Sequence, residues 1–220
     1  MNAVDPAPGF LEGIRAICDR EGIVLVFDEI ITGFRYHIGG AQALFGVTPD
    51  LACFGKAMAN GMPLSAVVGK AALMMEMEEI FFSGTFGGES LSLAASIATI
   101  DKLERDNGIA RLWQTGTTLA EGVNALVAKH GLGDIVGLVG KEAWKIVTFK
   151  PSGAESAEAI RTRFLVEMLS RGVLIGASHN VMVAHDGADI AQVLWAYDGA
   201  LGAVAEALAS NGLEENLPCP

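Results

Sequence analysis

Two short apolar stretches that end in charged residues decide the fold of this chain: IVLVFDE at residues 23–29 and LACFGK at residues 51–56. Apolar runs of this length, bounded by turn residues, are typical of buried strands. Continuous apolar runs favour strands that are covered on both faces, as in parallel sheets. Ligands of α/β folds bind at the carboxyl ends of such strands. We therefore predict a site where Asp28 and Lys56 follow their strands.

The rest of the chain alternates helix and strand patterns, which indicates an α/β fold. Helical periodicity predicts helices at residues 10–20, 71–80, 90–105, 109–130, 157–171 and 189–208. Shorter apolar runs predict strands at residues 65–68, 134–139, 143–149, 173–175 and 180–184, and glycines predict a loop at 83–88. The Gly-Leu-Gly sequence at 131–133 predicts a boundary between a domain at 1–130 and a smaller one at 131–220.

Composition and charge argue against several classes of function. The net charge of −11 disfavours nucleic-acid binding, because an acidic chain repels phosphate backbones. No run of 18 apolar residues predicts a transmembrane helix, and the first ten residues lack the basic cluster of a signal peptide. Three scattered cysteines predict reduced thiols in a cytoplasmic protein. His179 and His185 are interpreted as structural, so no metal site is predicted.

Each candidate residue has a plainer interpretation when it is taken alone. An apolar strand followed by Asp28 also resembles the magnesium-binding strand of a P-loop ATPase, but the motif G-x-x-x-x-G-K-[ST] is absent. Asp28 could also be a structural carboxylate. Lys56 follows Gly55, which permits a tight turn, and a lysine at a strand end can carry an aldehyde as an imine. An isolated lysine there is more often an ordinary surface residue.

Three motifs that follow one another along the chain favour a functional interpretation of Asp28 and Lys56. Residues 28–35 read DEIITGFR, residues 49–66 read PDLACFGKAMANGMPLSA, and residues 82–88 read FSGTFGG. Together they resemble the signatures of class III aminotransferases, which depend on pyridoxal phosphate (PLP). The residues at 40–42 and 45–50 are most similar to the glutamate-1-semialdehyde 2,1-aminomutase branch. The resemblance runs from about residue 7 to about residue 208 and implies PLP-dependent transferase fold type I. Residues 1–130 would then be the C-terminal part of the large domain, with a mainly parallel sheet, and 131–220 the small α/β domain.

The resemblance also implies a role for each site residue. Lys56 would form the Schiff base with the cofactor and shuttle a proton. Asp28 would pair with the pyridine nitrogen and keep it protonated, so that the ring accepts electrons. Ile30 would pack on one face of the ring, and Thr85 would bind the phosphate, usually from the neighbouring subunit. For Ile30 a plain core position, and for Thr85 a plain loop hydroxyl, remain the alternatives.

The family pattern is present only from its middle onward. The first ten residues resemble the segment that precedes the aspartate strand inside a full-length enzyme, so the chain is expected to start at an internal methionine. Missing strands would leave apolar edges exposed, which predicts weak cofactor binding and poor solubility of the chain alone. The preferred function is amino-group transfer between small-molecule donors and acceptors, or the aminomutase shift, in a homodimer that shares its site. The alternative is a truncated or split, non-catalytic fragment that needs a partner chain for the missing half.

Overall fold

A computed structural model describes residues 3–176, 178–210 and 212–213. The chain divides into two compact units. The N-terminal unit is Asp5–Ala110, and the C-terminal unit comprises the described residues from Arg111 onward together with Ala3 and Val4. By contacts, most of the helix predicted at 109–130 therefore belongs to the C-terminal unit. The domain boundary near residue 130 stays a prediction from the sequence.

The N-terminal unit contains four α-helices and three strands among the described residues. In chain order they are α1 Phe10–Glu21, β1 Val26–Asp28, α2 Gly40–Phe45, β2 Leu51–Phe54, β3 Ala66–Gly69, α3 Ala71–Met74 and α4 Ser90–Arg105. Short 3₁₀ turns at Lys56–Met58 and Met75–Glu78 follow β2 and α3, so the single helix predicted at 71–80 is wrong in detail. The short helix α2 was not predicted from the sequence.

The strands of this unit form one sheet in the order β1-β2-β3. Strands β1 and β2 are parallel, with Val26 opposite Leu51 and Asp28 opposite Cys53. Strand β3 pairs with β2 in the antiparallel direction, so the predicted parallel pairing applies here to β1 and β2 alone among the described strands. This parallel pair is the feature that positions the candidate site.

Strand β1 begins three residues after the start of the apolar run, and the first amide of that run belongs to the end of α1. Gly22 adopts a left-handed conformation (φ 67°), and the amide of Ile23 donates to the carbonyl of Cys18 at 2.9 Å. A left-handed glycine followed by such a bond is a common helix ending. The amide of Ile23 therefore belongs to the helix end, the amide of Leu25 donates to the Asp50 side chain, and the register of β1 with β2 begins at Val26 opposite Leu51.

The C-terminal unit contains a long helix, a second sheet and two further helices. Its elements are α5 Gly108–Lys129, β4 Val136–Val139, β5 Lys145–Phe149, α6 Ala157–Ser170, β6 Ser178–His179 and α7 Gly187–Ser210. The sheet order is β4-β5-β6, and both pairings are antiparallel. Helices α6 and α7 pack on each other around fully buried side chains, which include Ile160, Phe164, Met168, Tyr197 and Leu201.

Two strands predicted in this unit are wrong, because turns use their amides. The amide of Val173 donates to the carbonyl of Met168, which closes α6, so residues 173–175 do not enter the sheet. The amide of Met182 donates to His185 Nδ1, and the amide of His185 donates to the carbonyl of Met182. These bonds form a turn at 182–185 in place of the strand predicted at 180–184.

Candidate active site

Asp28 and Lys56 lie at the same edge of the first sheet. Asp28 is the last residue of β1 and stands opposite Cys53 in β2, three residues before Lys56. The amide of Glu29 donates to the carbonyl of Cys53 at 2.8 Å, which continues the pairing past Asp28. Because the two strands are parallel, their carboxyl ends lie side by side, as the sequence predicted. The structure thus brings the carboxylate and the amine to neighbouring strand ends.

The Asp28 carboxylate is exposed and partly engaged by its own turn. Its Oδ1 accepts a hydrogen bond from the amide of Ile30 at 3.0 Å, which is an Asx-type turn. No hydrogen bond from the described residues reaches Oδ2. One oxygen therefore fixes the side chain, and the other is available to a ligand.

Lys56 occupies a backbone conformation that is uncommon for a residue with a side chain. Its φ of 42° lies in the left-handed region, at the first position of the 3₁₀ turn Lys56–Met58. Such conformations cost free energy and concentrate at functional sites. The Lys56 side chain is exposed and makes no ion pair or hydrogen bond with the described residues. It is therefore a free amine at the strand end.

Ile30 lies next to the turn that carries Lys56. A Cβ built on Gly55 would lie 3.6 Å from Ile30 Cγ2, so the Gly55 backbone and the Ile30 side chain are neighbours. Ile30 is half-buried, which leaves part of its surface available. The structure brings Ile30, Asp28 and Lys56 together, and the predicted contact of Ile30 with a ring stays a prediction.

Thr85 has no bond to these three residues in the part of the chain that the structure describes. It belongs to an exposed loop at 81–88, between the 3₁₀ turn Met75–Glu78 and α4. No hydrogen bond or ion pair in the described part of the chain joins Thr85 to Asp28, Ile30 or Lys56. The predicted phosphate contact of Thr85 therefore remains a prediction.

The buried carboxylate of Glu29 is a feature of the site that the sequence did not reveal. Glu29 is only 1 % exposed, and it accepts hydrogen bonds from the Thr32 hydroxyl and from the amides of Ala41 and Gln42, each amide at 2.8 Å. The only signal in the sequence was the joint presence of Glu29 and Thr32 in the DEIITGFR motif. Its connection to α2, twelve residues away, requires the folded chain.

A second buried carboxylate, Asp50, organises the opposite edge of the same sheet. Asp50 accepts from the amide of Leu25 at 2.7 Å and pairs with Arg15 at 2.9 Å and Lys70 at 2.5 Å. The hydrogen bond from the Leu25 amide, with those from Lys70 and Arg15, lowers the pKa of Asp50 far below its usual value. Asp50 joins the start of β1, the start of β2 and the end of β3. It therefore fixes the sheet from the side away from Lys56.

His179 and His185, which were interpreted as structural, each have a hydrogen-bond partner in the folded chain. His179 is buried, and its Nε2 lies 2.6 Å from the Tyr197 hydroxyl. Burial lowers the pKa of His179 to about 4, so the ring is neutral near pH 7. His185 belongs to the turn described above. Within residues 3–176, 178–210 and 212–213, no cluster of metal-binding side chains is found. Cys18 and Cys53 are free thiols, and Cys219 lies outside the described residues.

Comparisons with known proteins agree with the fold and with the motifs. Residues 2–186 match the family model of class III aminotransferases. The FumI protein of Sphingopyxis sp. MTA144, solved in its PLP internal aldimine form, is 30 % identical with a TM-score of 0.83, over 91 % of this chain and 48 % of that chain. A transaminase with PLP bound is 25 % identical, with a TM-score of 0.85, over 92 % of this chain and 49 % of that chain.

One further similarity supports the fold alone. An omega-transaminase from Sphaerobacter thermophilus is 24 % identical with a TM-score of 0.81, over 91 % of this chain and 49 % of that chain. The chain thus spans about half the length of the solved structures it matches. These similarities confirm the predicted α/β fold of the PLP-dependent transferase type. No helix in the described ranges has the length and apolar character needed to cross a membrane.

Proposed function

This chain belongs to the class III aminotransferase family, and on that premise we propose that it supplies the lysine and aspartate of a pyridoxal-phosphate site for amino-group transfer. The observation that carries the proposal is the placement of Asp28 and Lys56 at the carboxyl ends of two adjacent parallel strands. The family uses PLP as its cofactor. Binding of PLP by this chain, and the substrates of the whole protein, belong to the proposal.

The residues present fit the cofactor at two of its groups, the aldehyde and the ring nitrogen. Lys56 is an exposed amine without an ion pair in the described chain, which suits attachment of an aldehyde. Asp28 offers an oxygen that accepts no hydrogen bond from the described residues, which suits a protonated ring nitrogen. At the phosphate end, the exposed Thr85 hydroxyl is the candidate that the resemblance assigns. The fit therefore supports a site that is built in part by this chain.

The proposed roles follow from the chemistry of these side chains. When bound, PLP supplies an aldehyde that captures amines and a ring that accepts electrons from the substrate carbon. Lys56 would hold the cofactor and, once displaced by an amine substrate, move a proton as a general base and acid. Asp28 would keep the ring nitrogen protonated, and Ile30 would exclude water from one face of the ring.

The substrate is a small amine paired with a carbonyl acceptor, and two versions of the transfer share the same residues. In transamination, the amino group moves between two molecules. In the aminomutase reaction, suggested by the resemblance at residues 40–50, it moves within one molecule. The relatives reported above are described as transaminases or as a PLP-bound protein, so we favour transfer between molecules. A cytoplasmic homodimer with a shared site completes the proposal.

A second candidate function is that of a subunit or fragment that is inactive without a chain that supplies the other half. Two observations favour it: the chain spans about half of the matched structures, and many large apolar side chains of the N-terminal unit are exposed. The coding sequence upstream of Met1 separates the possibilities. A matching segment in frame indicates one longer protein, and a separate adjacent gene indicates a split enzyme.

Borohydride trapping tests the proposed attachment site. The chain is mixed with about one equivalent of PLP, reduced with borohydride and mapped by peptide mass spectrometry. We expect the reduced pyridoxyl group on the peptide that contains Lys56, and much less of it on exposed Lys150, because Asp28 on the strand end next to Lys56 would hold the ring nitrogen of the cofactor. Lys56→Ala should remove this adduct, and Lys150→Ala should not. Equal labelling of both lysines would contradict the proposal.

A further inference from the structure

We propose that Glu29 is a positioning residue that holds the Asp28 strand end and the Lys56 turn in one arrangement, an inference that rests on the proposed function. Glu29 directly follows Asp28, yet its side chain is buried whereas that of Asp28 is exposed. Its role would be to act through these two neighbours without contact with cofactor or substrate.

The Glu29 carboxylate connects three parts of the chain. A carboxylate offers only acceptor atoms, and its three partners, the Thr32 hydroxyl and the amides of Ala41 and Gln42, are all donors. Gly40 passes so close that a Cβ there would lie 2.6 Å from Glu29 Oε1, and its φ of 79° also favours glycine. The end of β1, the following turn and the start of α2 are thereby joined at one point.

The turn at residues 29–34, which follows β1, packs against the segment that carries Lys56. The amide of Gly33 donates to the carbonyl of Glu29, and a Cβ on Gly33 would lie 2.4 Å from the ring of Phe54. The ring of Phe34 also lies against that of Phe54, with centroids 5.6 Å apart. Phe54 is the last residue of β2, two positions before Lys56. A shift of the turn held by Glu29 would therefore move Phe54.

The Lys56 turn needs such support because its backbone is not in a relaxed conformation. The left-handed φ of Lys56 persists only if the surrounding packing holds it. Gly55, just before it, lies beside Ile30, whose amide donates to Asp28. The turn that begins at Glu29 thus contacts both Phe54 and Gly55, and it starts from the residue next to Asp28.

The test compares Glu29→Gln with Asp50→Asn. Both positions are buried carboxylates with three donors, but Asp50 lies at the opposite edge of the same sheet. Hydrogen–deuterium exchange of the full chain without cofactor is the first readout. Gln at position 29 places an NH₂ group against amide donors, so protection of residues 41–42 should fall about ten-fold, the effect of one lost hydrogen bond to a charged group.

A positioning role requires that the loss of protection from exchange extend to the Lys56 turn. In Glu29→Gln, the amide of Met58, which donates to the carbonyl of Gly55, should also exchange faster. In Asp50→Asn, the faster exchange should appear at residues 25, 51 and 70 and spare residue 58. Trapping of PLP on Lys56, relative to Lys150, should fall several-fold in Glu29→Gln and stay unchanged in Asp50→Asn.

The outcomes separate this proposal from the proposed function. Faster exchange confined to residues 41–42, with unchanged trapping at Lys56, would overturn the positioning role. If the unaltered chain shows no trapping at Lys56, the proposed function fails, and exchange at residue 58 still decides whether Glu29 holds the turn. Should Glu29→Gln not fold, Thr32→Val removes one of the three donors while it preserves shape, and the same pattern is expected at smaller amplitude.

Discussion

The two units of the chain bury their large apolar side chains to different extents. In the C-terminal unit, Ile160, Phe164, Met168, Tyr197 and Leu201 are fully buried between α6 and α7. In the N-terminal unit, many large apolar side chains lie at the surface, although Tyr36 and Met58 are buried. Among those described, the most exposed large ones are Phe10, Met75, Ile80, Phe81, Phe82, Phe86, Leu91 and Ile97.

This contrast shows where the chain depends on other surfaces. The C-terminal unit has a closed apolar core of its own. The N-terminal unit carries the candidate site, yet the largest fully buried side chain described in it is a polar one, that of Glu29. Contiguous exposed apolar surface usually marks an interaction site. The unit that carries the candidate site is therefore the one that exposes more of its large apolar side chains.

The largest expected effect compares two Phe→Ala substitutions, one in each unit. Phe164→Ala should lower the free energy of unfolding of the C-terminal unit by about 3–5 kcal/mol, because it opens a cavity among buried rings. Phe81→Ala, at a side chain that is 97 % exposed, should change stability by less than about 0.5 kcal/mol. Urea unfolding checks both, followed by circular dichroism for the whole chain.

Tryptophan fluorescence assigns the effect to one unit. Trp113, Trp144 and Trp195 are the three tryptophans of the chain, and all of them belong to the C-terminal unit. The fluorescence transition should shift in Phe164→Ala and not in Phe81→Ala. Similar shifts in both variants would remove the contrast between the units.

The next effect is the pH dependence of the C-terminal unit. Burial lowers the pKa of His179 to about 4, below the ordinary value of 6.5. As the pH falls, the unfolded chain therefore binds a proton at His179 at a higher pH than the folded chain does. Stability should therefore be complete above pH 6.5 and fall as the pH drops toward 4, by on the order of 3 kcal/mol in total.

Thermal unfolding between pH 7 and pH 5, followed by tryptophan fluorescence, measures this effect. His179→Gln should be less stable at pH 7 and should show a flatter dependence over this range. An unchanged slope in His179→Gln would mean that another group causes the pH dependence.

The smallest effect on stability concerns exposed apolar side chains of α4. Leu93 and Ile97 are four residues apart on one face of the helix, and both are exposed. The double change to Ser should alter stability little but reduce concentration-dependent self-association, seen by sedimentation velocity. Leu169→Ser, at an exposed position in the C-terminal unit, is the matched control. Equal reductions would show that the N-terminal unit has no special need for covering.

The sequence predicted those features that depend on local patterns. Apolar runs that end in charged residues placed β2 and the strand ends at Asp28 and Lys56, because such runs are readable without tertiary contacts. It did not predict α2 or the burial of Glu29, which depend on hydrogen bonds across twelve residues. It wrongly placed a strand at 173–175, since a helix ending competes for the amide of Val173. Pairing direction at β3 was also not readable from the apolar run.

Hydrogen exchange of the PLP-reduced chain tests the central claim most directly. After borohydride reduction, the adduct is permanent, so exchange can be compared with that of the untreated chain. If Asp28 and Lys56 share one cofactor, exchange should slow in residues 26–34 and 51–58 and stay unchanged in residues 136–149 of the C-terminal unit. Slower exchange around Lys56 with no change around Asp28 would show that the two strand ends do not form one site.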